Sequence, residues 1–208
     1  MRIAVTLVLA LVLAPAAAAG PVRPGDWPLI HRAPTQQEQL LAGIAGRLAQ
    51  RTVSLRCGAT RATEALGVVP FFNGHPADYT ILSPEACADL AVFAATPGTF
   101  DPAACPSLHN QCSARLFEMT QALETVAHEA YHLFGQANEA TADCWGMQSL
   151  WYVAQQLGAS AAQAQALGGW YWQTVYPQRA HDVPQYFSKD CHSGGRLDLR
   201  PSDSRWPG

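Results

Sequence analysis

The chain has no basic stripe, no Cys-x-x-Cys pair, no internal repeat and, after its first residues, no apolar run long enough to cross a bilayer. Each absence removes a class of function. Without clustered Lys and Arg the electrostatic footprint of a nucleic-acid or anionic-membrane binder is missing. Charged residues make up only 14% of the chain and the net charge is −3. Without Cys-x-x-Cys a cysteine-rich zinc site is disfavoured. Without repeats a solenoid or propeller is excluded. What is present is 49% hydrophobic residues in 208, ample for one core.

The N-terminus reads as an export signal. Arg2 supplies a positive start, Ile3 to Leu13 is an apolar run of 11 residues, and Ala17-Ala18-Ala19 offers a small-residue cleavage site. The run is too short to span a membrane. The expected organisation is a signal peptide over residues 1–19, an extended Pro- and Gly-containing leader over 20–34, and one domain over 35–208. The protein is expected to be secreted or periplasmic, with no integral membrane segment once the signal is removed. The six cysteines, Cys57, Cys87, Cys105, Cys112, Cys144 and Cys191, all lie in that domain. An even number in an exported chain predicts three disulfides, with 15 connectivities open. Cys105 and Cys112 are near enough to close a small loop. Pairing Cys144 with Cys191 leaves Cys57 for Cys87.

The chemistry concentrates at His128-Glu129-Ala130-Tyr131-His132, an H-E-x-x-H run. Two histidines four apart lie one turn apart on one helix face, so both reach one metal. Glu129 follows the first of them and can act as general base on a metal-bound water. The flanks agree: Leu123, Val126, Ala127, Ala130, Leu133 and Phe134 recur at helical spacing, and Gly135 is a helix stop. Asn138 then reads as the N-cap of a new helix.

A catalytic zinc site takes three protein ligands and leaves a fourth position for water. On an unbroken helix Glu139 would lie about 10 Å beyond His132 along the axis. A turn over residues 135–138 lets the second helix fold back and present Glu139 as the third ligand. Asp143, one turn later, is then placed to accept a hydrogen bond from a ligand histidine's other ring nitrogen. An alternative remains: His128 to Asn138 reads H-E-x-x-H-x-x-G-x-x-N, the metzincin spacing with Asn138 in the third ligand's place. Asn is the poorer zinc ligand beside an available carboxylate.

The segment Val126 to Gly146, V-A-H-E-A-Y-H-L-F-G-Q-A-N-E-A-T-A-D-C-W-G, resembles the bacterial neutral zinc metallopeptidases of the zincin superfamily. Their H-E-x-x-H helix is followed by one of E-x-x-A-D-C-x-x-G type. Glu139, Ala142, Asp143 and Cys144 match it, and Gly146 stands one residue early. The resemblance implies His128, His132 and Glu139 as zinc ligands and Glu129 as catalytic base. Tyr79 to Leu82 resembles the strand that edges a zincin cleft. Asp190 to Arg196 is similar to a D-x-H-x-x-G-x-R stretch near the C-terminus of those peptidases.

Along the chain, Thr35 and Glu38 form a capping box opening a helix that is expected to reach about Val53. A short helix is expected near Thr60 to Leu66, then strand-prone segments to Leu82 interrupted by Pro70, Asn73-Gly74 and Pro76. Ser83-Pro84 starts a helix leading to Ala95. A loop to Ser113, the motif helix (114–134), a second helix (139–157) and a short helix from Ala161 ended by Gly168 follow. The last 25 or so residues look irregular. The predicted fold class is α+β, helix-dominated, a zincin-like metallopeptidase domain with a small strand element. Trp170-Tyr171-Trp172 reads as core.

The expected activity is a zinc-dependent endopeptidase acting on a peptide or protein substrate. His192 is the first candidate for the oxyanion donor, ahead of His181 and Tyr131. The alternatives are an exported zinc-binding domain without catalysis, or a zinc amidase acting on cell-wall peptide. Glu129 argues for catalysis, because a structural site has no use for it.

Overall fold

Thr35 and Glu38 close the capping box reciprocally. The Glu38 amide donates to Thr35 Oγ1 at 3.2 Å and the Thr35 amide donates to Glu38 Oε2 at 2.8 Å. They open helix α1 (Gln36–Leu48) in the computed structural model, which describes residues 31–60, 65–105, 111–202 and 206–207 and, at 111–113, the backbone alone. The expected signal peptide, most of the leader and most of the short helix expected after Thr60 lie outside those residues. Helix α1 stops at Leu48, short of the expected Val53, because Gln50 takes a left-handed conformation with φ of 53°. The β-branched Thr52 and Val53 lead instead into strand β1 (Ser54–Cys57).

Strands β2 (Gly67–Val68), β3 (Phe71–Phe72), β4 (His75–Pro76) and β5 (Tyr79–Leu82) occupy the interrupted strand-prone segment. Asn73 and Gly74 both have positive φ, the geometry of a two-residue hairpin turn, and they join β3 to β4. The other three strands form a sheet in the order β1-β5-β2, with β1 parallel and β2 antiparallel to β5. Helix α2 (Pro84–Ala95) follows, N-capped by Ser83 with Pro84 at its start.

The core is built on two helices. Helix α3 (Gln111–Phe134) begins just before the expected start, and its Leu123, Val126, Ala127, Ala130 and Leu133 are inaccessible to solvent. Helix α4 (Glu139–Gln156) lays Met147, Leu150 and Val153 against it. Each such aliphatic side chain contributes roughly 1.5–3 kcal/mol on burial. Helices α1 and α2 cover α3 on its other sides.

Helix α5 (Ala161–Trp170) is not ended by Gly168. It passes through Gly168 and Gly169 into a π-turn (Tyr171–Val175) and then helix α6 (Tyr176–Asp182). Tertiary packing overrides the glycine: Leu167, Trp170, Tyr171 and Tyr176 are all buried, and the Trp170 indole donates to the Cys105 carbonyl at 2.7 Å. The core reading of Trp170 and Tyr171 therefore holds, with Trp172 partly buried against the same cluster. Pro177 near the start of α6 lacks the N–H a continuous α-helix needs, and the widened turn lies just before it. Among the described residues the rest of the tail is irregular, apart from one 3-10 turn (Pro184–Tyr186).

The fold is thus helix-dominated α+β with a small strand element. Cys57 pairs with Cys87 and Cys144 with Cys191. The first bridge ties β1 to α2. The second ties α4 to the tail across 47 residues, worth roughly 4 kcal/mol in the chain-entropy model. Cys105 is also disulfide-bonded, and the side chain of Cys112 lies outside the described residues. Bridges of this kind persist in oxidising compartments. Among the described residues no helix is long and apolar enough to cross a membrane.

Candidate metal centre

Helix α3 ends where the site needs it to. Gly135 has φ of 116°, its amide donates to the His132 carbonyl at 2.9 Å, and the Gln136 amide donates to the Tyr131 carbonyl at 3.0 Å. This is a Schellman stop, and it releases the chain to reverse. Asn138 then caps α4, its Oδ1 accepting from the Thr141 amide at 2.9 Å and the Thr141 hydroxyl at 3.0 Å.

The reversal brings Glu139 back over the two histidines. Glu139 Oε2 is 3.1 Å from His128 Nε2 and 3.2 Å from His132 Nε2, and the two Nε2 atoms are 2.9 Å apart. Three donor atoms converge from two helices on one point. Tetrahedral coordination with ligands at about 2.0–2.1 Å sets donors roughly 3.3 Å apart, close to this triangle. His128, His132 and Glu139 form a group that could hold a metal ion.

The tautomers follow from the partners. His132 Nδ1 lies 2.5 Å from the Gln136 carbonyl and must donate there, which leaves Nε2 bare for a metal. Both histidines are buried, whereas the Glu139 side chain is 42% exposed. Burial lowers the His128 pKa to about 4, so its imidazole is neutral at pH 7, the form that ligates. For Glu139 burial is outweighed by the two imidazoles that face its Oε2, and its carboxyl is held at about 2. For His132 the opposing hydrogen bond and charge of Glu139, with the charge of Glu129, outweigh burial and raise its pKa.

Behind His128 the arrangement differs from the sequence expectation. Asp143 Oδ1 is 3.9 Å from His128 Nδ1, too far for the hydrogen bond assigned to it. Glu124 shares that edge of the imidazole, with Oε1 at 3.7 Å, and both carboxylates face the guanidinium of Arg179 from α6. Burial pushes Asp143 up to about 7 and Glu124 well above the carboxylate range. Glu124, His128 and Asp143 make a second group with metal-binding spacing. Arg179 lies 3.3 Å from Asp143 and 3.7 Å from Glu124, so a second cation there would be repelled at close range. This group packs behind His128 Nδ1 without a hydrogen bond to it.

Glu129 is 4% exposed, and among the described residues its Oε2 has no hydrogen-bond partner. Burial raises its pKa to about 8. Gly67 on β2 presses against it, and a Cβ at that position would stand 2.6 Å from Glu129 Cγ and Oε1. Only glycine fits there without moving the carboxylate. A cavity of about 210 Å³ opens at this point, with Gly67, Thr125, His128, Glu129, Arg179 and Tyr186 in its walls.

No family model, curated protein or solved structure matches this chain. The site therefore has to be read from its own chemistry.

The expected donors lie elsewhere. His192 is exposed, its Nδ1 3.0 Å from the Ser193 carbonyl, and it is not among the residues lining the cavity. His181 is exposed. The Tyr131 hydroxyl is 2.7 Å from Ser149 Oγ and its ring packs on Trp145. The Cys144–Cys191 bridge forms without carrying His192 into the cavity. Tyr186 lines the cavity instead. Its ring centroid lies 5.8 Å from that of His128, and its ring is stacked under Arg179. Sequence reasoning missed Glu124, Arg179 and Tyr186. Glu124 carried a readable signal, four residues before His128 on one face. Arg179 and Tyr186 carried none.

Proposed function

We propose that this chain is an exported zinc-dependent peptidase of the zincin type. The observation that carries the reading is the pairing of two features in one buried site. Three neutral or anionic donors meet within 2.9–3.2 Å of one another, and beside them Glu129 keeps a buried carboxylate oxygen without a partner. A His₂Glu donor set with room for a water suits zinc among the common divalent ions. Bound zinc supplies a Lewis acid and a water with a pKa of roughly 7.

The chain's own residues supply the rest. His128 and His132 offer Nε2, and Glu139 closes the third position from α4. With a metal bound, whose charge would favour the ionised carboxylate, Glu129 would take the proton from the attacking water through Oε2 and pass it to the leaving amine. Tyr186 is the donor to the developing oxyanion. Burial and the nearby Glu139 and Glu129 raise its pKa, which keeps the phenol protonated for that task.

The edge of the sheet supports a peptide substrate. The Ser83 amide donates to the Leu66 carbonyl at 2.7 Å, which makes Gly67 and Leu82 the non-bonded pair of the β2–β5 ladder. The N–H and C=O of Gly67 therefore point away from β5, beside Glu129. An extended peptide could pair there and bring its carbonyl to the metal. Export of the protein is supported by the disulfides and by the apolar N-terminal run.

The test is metal content followed by peptide cleavage. The purified protein should contain about one zinc per chain. It should cleave a peptide library, and lose that activity with a chelator and regain it with added zinc. A folded protein that takes up no zinc sinks the reading. Zinc uptake without cleavage of any peptide leaves an exported zinc-binding domain.

A further inference from the structure

We propose that Arg179 is a positioning residue for the metal centre: one guanidinium holds the two acidic side chains, Glu124 and Asp143, that pack behind His128, and it lines the same cavity as Glu129. The inference rests on the metal-binding reading above and extends it to a residue on α6 that touches no ligand directly.

The geometry is a closed ring of four groups. Glu124 Oε1 and Asp143 Oδ1 lie 3.7 and 3.9 Å from His128 Nδ1. Arg179 Nη2 lies 3.7 Å from Glu124 Oε2, and Nη1 lies 3.3 Å from Asp143 Oδ1. Glu124 comes from α3, Asp143 from α4 and Arg179 from α6, so the ring joins three helices around one imidazole edge. The Arg179 side chain is only 13% exposed. Its Nη2 also donates to the hydroxyl of the fully buried Tyr171, and its guanidinium carbon stands 5.8 Å from the Tyr171 ring centroid and 5.6 Å from that of Tyr186.

Two buried acidic groups side by side can be relieved by a proton or by a cation between them. Arg179 is that cation, and its planar fork reaches both at once, which a lysine ammonium cannot do. If the guanidinium is removed, the carboxylates lose their common partner and turn away from each other. The acidic side chains packed behind His128 Nδ1 then shift, and Nε2 moves off the point shared with His132 and Glu139. Tyr186 loses the cation stacked on its ring. Partners behind a ligand histidine typically change metal affinity 10- to 100-fold when altered.

The experiment compares Arg179→Met, Arg179→Lys and the full-length wild type by zinc affinity and by the visible absorption of the cobalt-loaded protein, which reports ligand geometry. Trp170→Phe serves as a control, because it removes a buried hydrogen bond to the Cys105 carbonyl that involves none of the four groups. Arg179→Met should bind zinc toward the 100-fold end of that range more weakly and shift the cobalt spectrum. Arg179→Lys should recover part of both, and Trp170→Phe should leave the spectrum unchanged. If Arg179→Met does not fold, Arg179→Lys carries the test, with a loss toward the 10-fold end and a smaller spectral shift. Folded Arg179 variants with wild-type affinity and spectrum overturn the proposal and leave the metal site standing. A wild type that binds neither ion overturns both. A wild type that binds metal but cleaves no peptide removes the peptidase reading, and the Arg179 comparison still decides this one.

Discussion

Glu38 and Glu129 are both buried carboxylates on helices, and they are held in opposite ways. Glu38 is fully inaccessible and fully bonded. Its Oε1 accepts from the Cys57 amide at 2.7 Å and from Arg32, and its Oε2 accepts from the Thr35 amide at 2.8 Å and from Arg32 Nη1 at 2.7 Å. Burial raises its pKa, but Arg32 and the two amides outweigh it and hold the group at about 2. Glu129 has the burial without the bonds and is pushed to about 8. The first arrangement ties the leader, α1 and β1 together. The second costs the fold a desolvated oxygen and leaves an unpartnered acid beside three side chains that could hold a metal. A buried acid that is satisfied serves stability, and one that is left unpartnered is a candidate for chemistry.

The strongest way to break this comparison is to swap each acid for its amide. Glu129→Gln should lower the hydrolytic rate by about 10²–10⁴-fold while zinc stays bound and stability is unchanged or higher. Glu38→Gln should do the reverse. Its new NH₂ group would face amide and guanidinium donors, and stability should fall by about 2 kcal/mol with the rate per folded molecule unchanged. Denaturant titration and peptide cleavage on both variants read the two axes. Equal destabilisation by the two substitutions would erase the distinction.

The metal cluster sharpens the comparison one step down. Glu139→Ala removes a donor that touches both histidines and should weaken zinc binding beyond the 10- to 100-fold expected of Asp143→Ala. Glu124→Gln should fall in the same 10- to 100-fold range, since it faces the same edge of His128. Competition with a chromophoric chelator measures all three. If Asp143→Ala proves the most damaging, the aspartate and not Glu139 completes the donor set.

These two regions also show where the sequence was readable. The capping box, the H-E-x-x-H face, the Gly135 stop and the Asn138 cap are local patterns, each decided within about one helical turn, and each formed as read. Both of the directly observed disulfide pairings were also anticipated. What escaped was what packing decides. Gly168 stays helical because Leu167, Trp170 and Tyr171 are locked in the core. That continuation carries α6, and with it Arg179, to the site, with Tyr186 in the turn just beyond. No periodicity in the chain announces either residue, because their neighbours in space come from α3 and α4.

Acid should separate the two carboxylates in a further way. The folded pKa of Glu38, about 2, lies below the unfolded value near 4.5. Its contribution to stability is therefore complete above about pH 4.5 and is lost as the pH falls toward 2. Glu38→Gln should flatten that acid limb when unfolding free energy is followed between pH 5 and 2. An unchanged slope would mean that the bonds around Glu38 do not distinguish its folded from its unfolded carboxyl.

The smallest expected effect falls on Asn138, one residue from the proposed ligand. The metzincin spacing would make it a metal donor, whereas its Oδ1 is occupied by the Thr141 amide and hydroxyl at 2.9 and 3.0 Å. A cap of this kind is worth about 1 kcal/mol, because without it the first-turn amides of α4 lose an acceptor. Asn138→Ala should therefore lower stability by about that amount. It should leave zinc affinity nearly unchanged, since Glu139 is positioned by the helix packed on α3 and only started by the cap. Asn138→Asp, which keeps the acceptor and adds a charge favourable at a helix N-terminus, should restore the lost stability. Zinc affinity measured on both variants decides the point: a loss in Asn138→Ala as large as that in Glu139→Ala would move the third donor from Glu139 to Asn138.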